Sequence, residues 1–144
     1  MITILAILLF LIFSLLSGFH FYWLFGGSYG VKKVIPTKSA EPTNTLNIPP
    51  IATFIVAVSL ITCGLMYLQI VGLIAIPIPE WVLQYGSWFV PSIFILRAIG
   101  DFNYVGLFKR ITETEFAKAD SRIFSPLCIG IGVIGIVIKL VSPL

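Results

Sequence analysis

Charge is what this sequence has least of. Of its 144 residues only 10% are Asp, Glu, Lys or Arg, while 58% are hydrophobic. A soluble domain carries about 25% charge. A chain with so few polar residues cannot cover a core with a water-compatible surface, so an ordinary soluble globular protein is excluded. The same hydrophobicity excludes disorder. Histidine is nearly absent, His20 being the only one. No further ligands stand near it, so neither a metal nor a cofactor is expected. The two cysteines, Cys63 and Cys128, do not form a CxxC pair, which removes a redox dithiol or a thiolate metal knot. With Cys63 near mid-membrane and Cys128 about 5 residues into its helix, their depths differ by roughly 10 Å. That is too far for a disulfide. Basic runs interleaved with aromatics are missing too, so the formal net charge of +3 is not a nucleic-acid footprint. The charges sit between apolar runs, where they anchor and orient helices.

What is present is long apolar sequence, with a mean hydropathy of +1.07. Residues 2–24 are interrupted only by Thr3, Ser14, Ser17, Gly18 and His20, and a bilayer core takes about 20 residues. A cleaved signal peptide is the competing reading. It fits poorly, because the start carries no basic side chain and His20-Phe21-Tyr22-Trp23 is no small-residue cleavage site. Residues 25–50 form a connection broken by Gly26, Gly27 and Gly30 and by Pro36, Pro42, Pro49 and Pro50. A second span covers 51–76 and ends at Pro77 and Pro79. Glu80 opens a third, over 81–100, where an acid complements the helix dipole. The short link makes the second and third spans an antiparallel hairpin, and Pro91 should kink the third. A fourth span covers 123–140, with Pro126 in its first turn and Gly130, Gly132 and Gly135 offering small faces to a neighbour.

Between the third and fourth spans, residues 101–122 mix charges with Phe102, Tyr104, Leu107, Phe108, Ile111 and Phe116. This composition suits an interfacial segment with short helical turns, and Thr112 with Glu115 has the spacing of a capping box. The expected fold is all-α, a transmembrane four-helix bundle in a single integral membrane domain, 1–144. Basic residues concentrate in the two large connections: Lys32, Lys33 and Lys38 in one, Lys109, Arg110, Lys118 and Arg122 in the other. By the positive-inside rule both connections are cytoplasmic and both termini outside.

Five polar residues form the candidate cluster, all near one membrane face: His20, Arg97, Asp101, Asp120 and Arg122. His20 is either an aromatic-belt residue or a proton carrier or substrate contact. Arg97 and Asp101, four apart, share a helix face and can pair. Asp120 can stabilise the start of the fourth helix, and Arg122 can face lipid phosphate. No nucleophile–base pair is evident, so catalytic residues stay unassigned. Gly26-Gly27-x-x-Gly30 lacks the preceding strand and following Lys-Ser or Lys-Thr of a phosphate loop. Its glycines let the backbone turn out of the bilayer.

Three stretches carry a resemblance. They are His20-Phe21-Tyr22-Trp23-Leu24-Phe25-Gly26-Gly27, the run from Leu96-Arg97-Ala98-Ile99-Gly100-Asp101 through Phe102-Asn103-Tyr104-Val105-Gly106-Leu107-Phe108-Lys109, and Phe116-Ala117-Lys118-Ala119-Asp120-Ser121-Arg122 continuing through Ser125-Pro126-Leu127-Cys128. Together they resemble the bacterial domain-of-unknown-function family DUF3995, small integral membrane proteins. The resemblance implies four membrane helices in a prokaryotic cell membrane and supplies no catalytic residue. The functions weighed are solute or lipid binding or transport, a membrane-embedded enzyme acting on an anionic lipid-like substrate, and an accessory subunit of a larger complex. Expected partners are membrane lipids, with a homo-oligomer or a larger membrane protein as further options, and no nucleic acid.

Overall fold

The computed structural model describes residues 1–36 and 48–142; Lys38, Glu41 and Pro42 of the first connection lie outside the described residues. Helix α1 spans Ile2–Leu24 and is apolar nearly all round. A single helical turn, α2 (Val31–Val34), follows, and Trp23 Nε1 donates to Tyr29 O at 2.9 Å, folding the intervening turn back onto the end of α1. Helix α3 is Pro50–Ile70. Pro50 suits the first turn because its missing N–H has no partner to lose there.

The second span ends earlier than its hydropathy suggests. Residues 71–76 are apolar but not helical. The side-chain Nε2 of Gln69 donates to Ile76 O at 2.9 Å and folds this stretch over the helix end. Helix α4 is Glu80–Ile99, with Pro91 inside it.

The last helical stretch is one continuous rod. Helix α5 (Glu115–Ala119) passes through a π-helical turn, Asp120–Phe124, into α6 (Ser125–Val141). The expected separate segment before the fourth span is therefore joined to it. Pro126 accounts for the π turn. It cannot donate to the carbonyl four residues back, and its ring crowds that carbonyl. Widening the preceding turn, with Ser125 N–H bonded to Asp120 O, relieves the crowding at the cost of one extra residue. The helix cap is Thr114, whose Oγ1 accepts from Ala117 N–H at 3.1 Å. This corrects the expected capping box at Thr112.

Among the described residues, four helical stretches are long and apolar enough to cross a membrane: Ile2–Leu24, Pro50–Ile70, Glu80–Ile99 and Glu115–Val141. The described residues contain no strand. Packing follows sequence order in two pairs, α1 on α3 and α4 on α6, joined mainly where α1 meets α6. The expected close hairpin of the second and third spans is not the dominant contact, since α3 and α4 touch only slightly. The non-helical 71–79 stretch separates their ends.

Phe13 lies at the centre of the core, stacked on Tyr67 and edge-on to Phe94 with ring centroids 5.4 Å apart. Leu9, Ile131 and Ile138 complete it. Within lipid, burying such surface against another helix releases little water, so close packing and interhelical hydrogen bonds hold the pairs together. Ser17 Oγ donating to Ala57 O at 2.7 Å is one such bond. Gly132 and Gly135 bring α6 close to α4: a Cβ at Gly135 would lie 2.6 Å from Tyr67 Oη and 3.0 Å from Pro91 Cβ. Leu11, Leu15, Ile55, Phe89 and Val133 point outward and are exposed, as lipid-facing residues should be.

Candidate functional site

The two connections meet at one end of the bundle, where α2 packs on α5. Two separate polar features lie there. The first begins at the end of α4. Gly100, at φ +86°, stops the helix. A Cβ at Gly100 would collide with Val105 O, and one at Gly106 with Ile99 O, so the chain can double back here only with glycine at both positions.

The Asp101 carboxylate fills the resulting loop. Its Oδ1 accepts from the N–H groups of Asn103, Tyr104 and Val105 at 2.8–2.9 Å. The Val105 bond foremost, with those of Tyr104 and Asn103, holds the carboxyl below the ordinary carboxylate range despite the opposing effect of desolvation. These bonds also hold Phe102 at φ +63°, the one positive φ at a non-glycine among the described residues.

Arg97 therefore does not pair with Asp101, as helical spacing suggested, because residue 101 is no longer on the helix. It reaches Asp120. Its Nη2 is 2.8 Å from Asp120 Oδ1, an ion pair. Asp120 is fully buried, and its Oδ2 accepts from Gly106 N–H at 2.7 Å and Lys109 Nζ at 3.1 Å. Lys109 is equally enclosed. Its three protons meet three acceptors: Asp120 Oδ2, Gly106 O at 2.9 Å and Ser121 Oγ at 2.7 Å. Asp120 thus does not cap a helix start, since the helix is already running at Glu115. It ties the 100–109 loop and the end of α4 to the π turn.

The second feature contains His20. Its Nδ1 is 2.7 Å from Leu16 O. A carbonyl only accepts, so Nδ1 carries the proton, and in the neutral ring Nε2 is the acceptor. The ring packs edge-on against Trp23, centroids 5.2 Å apart. Both line a cleft of about 760 Å³ between the end of α1, α2 and the start of α3, with Lys32, Ile35, Ala52 and Val56 among its walls. No carboxylate lines it among the described residues.

Of the five candidate residues, the structure joins Arg97 and Asp120 directly and places Asp101 in the loop they secure. His20 faces a different cavity. Arg122 is exposed on the π turn. Reasoning from sequence missed Lys109, Gly106 and Lys32. A lysine in a charged connection reads as solvated, and nothing in the spacing marks Lys109 as enclosed. The described residues hold no group of three or more His, Cys, Asp or Glu placed to bind a metal ion.

The helices and the polar end define an all-α protein with four stretches able to cross a membrane. The family described as "Protein of unknown function (DUF3995)" matches residues 13–135, and the chain belongs to it. No curated protein and no solved structure matches the chain.

Proposed function

We propose that this membrane protein binds a lipid-like amphiphile in the cleft between α1, α2 and α3. The observation that carries the reading is the cleft itself. Its volume of about 760 Å³ falls within the ~300–1,000 Å³ typical of small-molecule sites. Its walls are mostly apolar, with His20 and Lys32 as the polar groups able to orient a head. The ion cluster suits a ligand less well. Every proton of Lys109 is already bonded, and Asp120 is enclosed by three partners. It is a fastening between helices, so a transport role for Arg97 has less support than lipid binding. The enzyme alternative needs His20 beside an acid, and Asp101 and Asp120 are bonded elsewhere.

The proposal places the protein in a prokaryotic cell membrane, with both connections cytoplasmic and both termini outside. Lys32, Lys33, Arg110 and Arg122 are exposed at the end that carries the connections, as the positive-inside rule requires of a cytoplasmic end.

Trp23 reports on the cleft. With Trp81 and Trp88, both exposed on α4, replaced by Phe, it is the only tryptophan left. Phospholipid with brominated chains, titrated into detergent-solubilised protein, should quench it saturably. Ala52→Phe, which fills the cleft, should abolish the saturation. Quenching that rises linearly with lipid and is identical in Ala52→Phe would refute the proposal.

A further inference from the structure

Resting on lipid binding in this cleft, we infer that the preferred head group is a phosphodiester bearing a free hydroxyl, the chemistry of phosphatidylglycerol. Two polar groups of opposite hydrogen-bonding sense line the cleft. Lys32 supplies only donors and a positive charge. It has no carboxylate partner among the described residues, and no acid shares the lining. The complementary group is an anion, and a phosphodiester oxygen is the anionic acceptor an amphiphile carries at the head-group level.

His20 supplies the other sense. Its Nδ1–H is committed to Leu16 O at 2.7 Å. Nε2, which has no partner among the described residues, is an acceptor in this tautomer. An acceptor next to a bound phosphate needs a donor on the ligand. An ammonium head would supply one, but it would stand against Lys32 in the cleft. A hydroxyl supplies the same donor without charge. Below the head, Ile35, Ala52 and Val56 offer an apolar wall for the start of the chains. Trp23 is held by its own bond to Tyr29 O, so it packs beside the head group without competing for it.

The test uses the single-tryptophan protein (Trp23 only) and three lipids with identical brominated chains, each normalised to its unbrominated form. Phosphatidylglycerol carries the phosphate and the hydroxyl. Phosphatidylmethanol keeps the charge and lacks the hydroxyl. Phosphatidylcholine adds a cation and lacks a donor. Phosphatidylglycerol should bind about tenfold more tightly than phosphatidylcholine and severalfold more tightly than phosphatidylmethanol. Lys32→Gln should cut the first difference to the severalfold that the hydroxyl alone supplies. His20→Phe, which keeps the aromatic contact with Trp23, should remove the second while binding stays saturable, and His20→Gln, which retains an acceptor, should restore part of it.

Equal affinity for all three lipids with saturation intact overturns the head-group assignment and leaves lipid binding standing. Loss of saturation with every lipid overturns both. Soluble glycerophosphoglycerol, the same head without chains, should fail to displace the lipid at matched concentration. Full displacement would show a soluble phosphodiester site and overturn the assignment to a lipid.

Discussion

Asp120→Asn is the most informative single change. Asn keeps the shape and an oxygen for Gly106 N–H but removes the charge shared by Arg97 and Lys109. The two cations are placed differently. Arg97 has 31% of its side chain exposed, whereas Lys109 has 1%. Arg97 can turn outward and be solvated, while Lys109 stays enclosed with only Gly106 O and Ser121 Oγ as neutral acceptors. Leaving one charge of a buried pair without its partner costs about 3–5 kcal/mol, and the burial of Lys109 places Asp120→Asn in that range. Lys109→Met removes the other charge and leaves Asp120 with Arg97 and Gly106 N–H. If the pair acts as a unit, the double variant should be less destabilised than the sum of the single ones by about 1.5–3 kcal/mol. The assay is reversible unfolding in mixed micelles under SDS titration, followed by circular dichroism, as a double-mutant cycle. Single effects that add to within ~0.5 kcal/mol would refute the claim that this pair fastens the 100–109 loop to the π turn.

The Asp101 carboxyl is held below its unfolded value, so its contribution to stability is complete above that value, about pH 4, and is lost as pH falls through the folded value. Unfolding midpoints measured between about pH 5 and 2 should therefore show an acid-side loss in the wild type that is smaller in Asp101→Asn. Tyr67 Oη is buried without a hydrogen-bond partner among the described residues and stands where a Cβ at Gly135 would fall. Tyr67→Phe should be neutral or stabilising by ~1 kcal/mol, Gly135→Ala destabilising by about 1–3 kcal/mol, and the double variant milder than Gly135→Ala; a double variant at least as unstable would refute this packing. In cells, a Lys33→Cys protein with Cys63 and Cys128 replaced by Ala should react with membrane-impermeant maleimide only after the membrane is opened. Labelling of intact cells would reverse the proposed orientation.

Much of the fold was legible because the bilayer imposes so few solutions. The first span, 2–24, and the third, near Glu80–Ile99, follow from apolar length and from the Pro-Glu that opens the third. Hydropathy could not locate the end of the second span, since 71–76 is as apolar as the helix before it and leaves the helix through a side-chain bond from Gln69. The start of the fourth was obscured by charge. Glu115, Lys118 and Asp120 read as a polar connection, yet they lie on the same rod as α6. The site was legible as residue types at one end of the bundle. The partners were not: the i,i+4 rule paired Arg97 with Asp101 until Gly100 ended the helix, and Lys109 became visible only once the loop between two glycines had closed around it.

The pairing of α1 with α3 and of α4 with α6 bears on how such a chain enters a bilayer during synthesis. Each pair is made of spans consecutive in sequence, so the main partner of α1 and of α4 is the next span to emerge from the ribosome. The first hairpin is complete once Ile70 is available and need not wait for the rest. The second cannot be fastened until residue 120 has been made, because Arg97 and Lys109 have no buried counter-charge before then. Until that moment α4 has a half-finished polar end, and the non-helical 71–79 stretch gives it slack to remain near the head groups while the last span is translated.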